Sequence, residues 1–402
     1  MLYKKNKSKE LDSKLFKNPT AEYRGTPFWA WNCKLDKDNL GRQIEYMKEM
    51  GLGGFHMHSR TGMANEYLGE EFMDLVKFCV KKAEKEEMLA WLYDEDRWPS
   101  GFAGGLVTKE KKYRVKILTF NPEDKQNDAK TLEECLETGK PFFFASYDVV
   151  LNDKGELVSY KRIGRDEEGN NKWYAFLEIA GDDPWFNNQA YVDTLDKESM
   201  KKFIDITYEA YKEAVGDKFG ESVPAIFTDE PQMYRRHYMR NALGKERTVL
   251  PWTHHLIDGF KKEYGYDILD YLPELIWSLE GGKVSKVKYH YSDYTTELFA
   301  RCFSDQCGNW CEENNLMLTG HMMEEPTLLS QSYAIGETMR HYRSFQLPGI
   351  DMLCDATEYT TAKQAQSAAH QYGREGVLSE LYGVTNWVFD FRGHKFQGDW
   401  QA

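Results

Sequence analysis

The feature that most constrains this chain is a repeating unit: a short apolar run, a polar cluster, then an amphipathic helix. Such alternation builds a parallel sheet with helices outside it, because a strand that returns parallel must cross over through a helix-length connection. The first run, 26–32, precedes a helix predicted over 38–50, where Leu40, Ile44 and Met47 recur at i, i+4 and i+7 and Gly51 caps the end. The second run, 53–58, leads into a helix predicted over 70–85 that buries Phe72, Leu75, Val76, Cys79, Val80 and Ala83. The third run is 88–93, and further runs follow at 223–228, 316–321, 349–353 and 376–380.

Between the third and fourth runs the rhythm changes. Residues 112–190 alternate with the period of strands, and Asn152-Asp153-Lys154-Gly155 reads as a hairpin turn. The expected fold is therefore α/β: a TIM-type (β/α)8 barrel that ends before its eighth strand, with a small β-rich insertion after strand three. The expected organisation is an N-terminal extension over 1–23, the first part of the barrel over 24–111, the inserted β-domain over 112–190 and the second part of the barrel over 191–402.

Composition narrows the function classes. Of the 402 residues, 41% are hydrophobic and 29% charged, a balance that can bury a core. The net charge of −13 argues against a nucleic-acid partner, which needs a positive surface, but does not repel a neutral, hydroxyl-rich ligand. No apolar run reaches the ~18 residues of a membrane span. The charged start, 1–18, lacks the apolar stretch of a secretory signal. A cytoplasmic protein with no membrane partner is expected, and its oligomeric state is left open. The 7 Cys are odd in number and scattered, which fits free thiols in a reducing compartment better than disulfides or a zinc site.

Polar residues collect where each run ends, and in a parallel barrel those ends share one mouth. Run one ends in Trp31 and Asn32, run two in His56, His58 and Arg60, and run three in Asp94, Glu95 and Asp96, with Trp98 just after. Run four ends in Asp229 and Glu230, and run five in His321, with Glu324 and Glu325 beyond it. Run six carries Asp351 and Asp355, and run seven Glu380. Each has an ordinary reading: a carboxylate after a strand caps the next helix, and His56 and His58 can be satisfied core histidines. A polar group at every run end is what points to a ring around a ligand, since burying so many is costly without one.

Glycoside hydrolysis needs two carboxyls flanking the reacting carbon, one protonating the leaving oxygen and one acting as nucleophile or as base toward water. Glu230 and Glu380, on runs four and seven, face each other across such a mouth and are the expected catalytic pair. Asp229 is expected to orient a neighbour or hold a hydroxyl, and its charge to raise the pKa of Glu230. Trp31, Asn32, His56, His58, Arg60, Asp94, Asp96, Trp98, Asp229, His321 and Glu325 are expected to bind substrate. No metal set is assigned. Asp94-Glu95-Asp96 is dense in the oxygen ligands calcium prefers, but lacks the spaced pattern of a calcium loop, so a polar loop is the preferred reading.

Three segments carry a family resemblance: 27–32 (PFWAWN), 53–60 (GGFHMHSR) and 91–101 (WLYDEDRWPSG). Continued by Phe227-Thr228-Asp229-Glu230-Pro231, Thr319-Gly320-His321 and Ser379-Glu380, the chain over about 24–402 resembles glycoside hydrolase family 106, the α-L-rhamnosidases and their relatives. The resemblance implies a barrel catalytic domain acting on a carbohydrate with inversion, Glu230 as acid and Glu380 as base, and Ca2+ as the one candidate cofactor. The family's proteins are longer and carry added β-domains. Two alternatives stand beside this reading: a non-catalytic glycan-binding barrel or inactive fragment, and a retaining glycosidase of other specificity.

Overall fold

The structure is a computed structural model that describes residues 2, 10, 12–353 and 356–402. Its frame is a curled parallel sheet of seven strands: β1 (Phe28–Trp31), β2 (Gly54–Ser59), β3 (Leu89–Tyr93), β8 (Ala225–Asp229), β10 (Met317–His321), β11 (Leu347–Met352) and β12 (Leu378–Leu381), paired in that order. These are the seven runs expected, and among the described residues no eighth strand joins β12 to β1. Helices cover the outer face. That of Lys37–Glu49 starts where the Asp36 side chain accepts the Asn39 N–H, and buries Leu40, Ile44 and Met47. That of Glu70–Lys85 buries the six residues its periodicity marked, and Met73 besides.

The insertion forms a separate antiparallel sheet of β4 (Lys116–Asn121), β5 (Phe142–Leu151), β6 (Leu157–Ile163), β7 (Lys172–Ile179) and β9 (Thr248–Trp252), in the order β6-β5-β7-β4-β9. Four strands come from 112–190, but β9 comes from beyond it, pairing with β4 from Lys116↔Trp252 to Phe120↔Thr248. The reason is packing: Trp173, Trp252 and Trp277 share one core with Phe120 and with helix residues as far along as Tyr291. A buried ion pair, Lys116 Nζ to Asp193 at 3.0 Å, ties this sheet to the chain re-entering the barrel. No helix of the described residues is long and apolar enough to cross a membrane.

Period two decides which barrel residues meet inside. Trp91, Ala225, Met317 and Leu347 fill the lower interior. One step up, Phe227 packs edge-on against Phe28 at 4.8 Å, His56 at 5.6 Å and His321 at 5.4 Å, and stacks on Tyr93 at 6.1 Å. The parallel register then sets His321 opposite Asp229 and Asp351 opposite Glu380. An inward-facing layer of ionisable groups therefore lies on an aromatic floor, at the carboxyl ends of the strands.

Candidate active site

The layer centres on His321, which is fully buried at the end of β10. Its Nε2 donates to Glu380 Oε2 at 2.9 Å and stands 3.9 Å from Asp229 Oδ1. Burial alone would lower the pKa of His321, but the Glu380 hydrogen bond and the charges of Asp351, Glu380 and Asp229 hold it well above the usual histidine value. The imidazole is thus the positive charge among several acids. Glu380, at the end of β12, is about one-fifth exposed, so its carboxylate meets both the imidazole and solvent.

Asp229 is held from two sides. Tyr93 Oη donates to its Oδ2 at 2.6 Å, and Ser100 Oγ accepts its backbone N–H at 2.8 Å. Burial raises its carboxyl to about 6 against the opposing pull of His321. Asp351 rises to about 7, again chiefly by burial. Its Oδ1 is buried without a hydrogen-bond partner among the described residues.

Glu230 follows β8 directly, with φ at +46°, a left-handed conformation that strains a side-chain-bearing residue. Its backbone N–H donates to the His321 carbonyl at 3.0 Å, which helps to fix the turn. Its Oε2 accepts the Trp98 indole N–H. The carboxyl is pushed up to about 8, so it carries a proton at neutral pH. The main cause is burial. Asp229 adds to the rise, as the sequence predicts, but as a smaller contribution than burial and after the opposing effect of His321.

Trp98 is positioned by a loop wound around a buried carboxylate. Glu95 Oε2 accepts the N–H groups of Gly101, Phe102 and Ala103 at 3.0, 2.9 and 2.8 Å, and its Oε1 accepts those of Asp96 and Gly104. This explains the three glycines within 101–105: Gly101, Gly104 and Gly105 all have positive φ, and a side chain on Gly101 would meet Val192 at 2.9 Å.

Of the residues expected at the mouth, Asp229, Glu230, His321, Glu380 and Trp98 are brought together there. Arg60 is exposed and near enough for its charge to lower the carboxyl of Asp229. His58 lies 4.0 Å from the Tyr93 ring, and burial keeps it neutral. His56 sits a layer lower, closed over by Phe28, Trp91 and Phe227, with its Nδ1 3.2 Å from the Thr26 carbonyl. Burial pushes it to about 3, the behaviour of a core histidine. Trp31 does not reach the mouth: alternation puts it with Trp29 on the outer face, against Phe72 of the covering helix. Asn32 is exposed beyond the strand.

Asp94 turns away from the ring of acids, accepting Ser100 Oγ and Tyr208 Oη. Asp96 binds Arg97 and Asn187. Glu325 is a buried brace, accepting the Asp351 N–H at 3.1 Å and Tyr342 Oη at 2.8 Å. Glu324 pairs with Arg235 at 2.7 Å, and Asp355 lies outside the described residues. Tyr93 and Ser100 escaped the reading of strand ends by charge; the inward alternation of β3 was the signal that marks Tyr93.

Among the described residues, the acidic run Asp94-Glu95-Asp96 does not form a calcium cage. Both oxygens of Glu95 are taken by backbone N–H groups, and Asp94 is taken by hydroxyls. Two groups gather three donor atoms within 4.8 Å of one another, Asp229–His321–Glu380 and Glu230–His321–Asp351. Each group joins two carboxylates to one histidine nitrogen, whereas calcium takes six to eight oxygens. The arrangement is an acid–base cluster with one imidazolium at its centre. A cavity of about 870 Å³ lies at the opposite end of the sheet, near Leu89, Pro224 and Met317, away from this chemistry.

A curled parallel sheet with a layer of carboxyls at the carboxyl ends of its strands is an open (β/α) barrel domain, and comparison with known proteins makes it particular. The sequence profile described as alpha-L-rhamnosidase matches residues 187–397, just over half of the chain. The chain belongs to glycoside hydrolase family 106. Among solved structures it is similar to a rhamnosidase from Novosphingobium sp. PP1Y, at a TM-score of 0.64 and 14% identity, over 98% of this chain and 55% of that one. It thus spans little more than half of that protein, and the likeness is one of fold. The catalytic domain of a beta-amylase from Paenibacillus polymyxa aligns at a TM-score of 0.30 and 8% identity, over 88% of this chain and 92% of that one. A search of curated proteins finds no significant match.

Proposed function

We propose that this chain hydrolyses a glycosidic bond of an α-L-rhamnoside or a related glycan with inversion, Glu230 serving as general acid and Glu380 as general base. The observation that carries the reading is that the two glutamates stand in opposite environments around one imidazole. Glu230 is buried, receives the Trp98 N–H and keeps its proton to about pH 8. Glu380 is partly open to solvent, where a water can reach it, and accepts a hydrogen bond from the His321 ring. Environments that separate two carboxyls in this way assign acid and base roles. In the proposed reaction Glu230 gives its proton to the departing oxygen while Glu380 takes one from the attacking water. Asp229, held by Tyr93, and Asp351, with a free oxygen, offer acceptors for sugar hydroxyls.

The test is turnover of an aryl α-L-rhamnoside within a panel of aryl glycosides, with the first-formed anomer followed by NMR. Release of the β-anomer first is expected. Release of the α-anomer first would make the enzyme retaining and Glu380 a nucleophile. Binding without turnover by folded protein would make it a glycan-binding barrel.

A further inference from the structure

We propose that Trp185, carried between the insertion and the barrel, forms with Trp98 the subsite for the leaving group, a pyranose or aryl ring joined through the glycosidic oxygen. This rests on Glu230 being the acid. The proton donor must lie beside the leaving oxygen, and Trp98 is bonded to the Glu230 carboxyl itself. The ring attached to that oxygen therefore leaves past Trp98.

Trp185 stands next along that path. Its ring centroid is 6.1 Å from that of Trp98 at 78°, and its Nε1 donates to the Trp98 carbonyl at 2.9 Å. The indole is nevertheless 45% exposed. Its orientation is built in. Asp183 caps the Trp185 N–H at 2.8 Å, and the Asn187 side chain donates to Asp96 Oδ2 at 3.0 Å and the Gly104 carbonyl at 2.9 Å. The turn 183–187 is thus stitched to the loop that positions the acid. A large aromatic that is exposed yet held at its polar end offers an apolar face, which suits the C–H face of a sugar or an aryl ring.

The experiment compares Trp185→Ala and Trp185→Phe with the unaltered protein on two substrates: a rhamnosyl disaccharide and α-L-rhamnosyl fluoride, whose leaving group has no ring. Trp185→Ala is expected to lower kcat/KM on the disaccharide about tenfold, mostly through KM, and to leave the fluoride unchanged. Trp185→Phe is expected to recover most of the loss. Equal losses on both substrates, or none on either, would overturn the subsite while leaving the proposed hydrolysis standing. Failure of the unaltered protein to turn over the fluoride would remove the hydrolytic reading, and the subsite with it.

Discussion

Replacing Trp98 with Phe tests the acid at the level of a single hydrogen bond. The indole N–H donates to Glu230 Oε2 and so stabilises the ionised carboxylate more than the neutral acid. Phe keeps an aromatic ring and removes the donor. A hydrogen bond to a charged group contributes about 1.5–3 kcal/mol, and one pKa unit is about 1.36 kcal/mol. Complete loss therefore raises the Glu230 carboxyl by about 1–2 units, and water entering beside the smaller ring brings the expectation toward about 1 unit. The sign is fixed: the acid must be protonated to work, so the alkaline limb of kcat/KM, expected near pH 8 in the unaltered protein, moves up. The assay is kcat/KM against pH on an aryl glycoside with a poor leaving group, with the glycosyl fluoride as control, because fluoride needs little proton assistance and should lack that limb. An alkaline limb that stays in place or moves down in Trp98→Phe would refute the reasoning.

Glu230→Gln carries a stability consequence: the Glu230 carboxyl is raised from 4.5 to about 8 on folding, so the folded chain keeps a proton that the unfolded chain has lost between those values. That group therefore destabilises the fold increasingly as pH rises through this window, and the variant is expected to melt higher than the unaltered protein at pH 9 and alike below pH 4; a lower Tm at pH 9 would contradict it. Glu95→Gln turns an amide –NH2 toward at least two of the buried N–H groups the carboxylate accepts, at about 1–3 kcal/mol each, so urea denaturation should show a loss of about 2–6 kcal/mol. A loss under about 1 kcal/mol would show that the loop is held by other means. Gly320→Ala puts a methyl 1.8 Å from the Thr228 carbonyl oxygen at a residue with φ of +120°. Loss of cooperative unfolding by circular dichroism is expected, and a Tm within a few degrees of the unaltered protein would be incompatible with the strand contact described.

The sequence by itself determined the seven parallel strands, the buried faces of the first two helices and the insertion's strand character. Periodicity and turn residues are local, and burial of alternate or every-third-to-fourth residues is a local demand. It also determined that acids would crowd the strand ends, since polar residues after apolar runs are visible in one dimension. Alternation cannot tell the two faces apart without knowing which one is inside. That is why Trp31, read as a mouth residue, lies against Phe72, and why Tyr93, unmarked by charge, reaches Asp229. Charge density likewise does not show whether an acid is open or already satisfied. Glu95, in the acidic run dense in the oxygens calcium prefers but read as a polar loop, spends both oxygens on backbone N–H groups within ten residues of itself. The pairing of β9 with β4 joins segments more than 120 positions apart, a contact set by shared burial of Trp173, Trp252 and Trp277 rather than by any local signal. Only the tertiary structure decided that His321 would stand among Asp229, Asp351 and Glu380. The register of four parallel strands puts those side chains in one layer, and the low-dielectric floor beneath makes one shared positive charge the stable answer to so many acids.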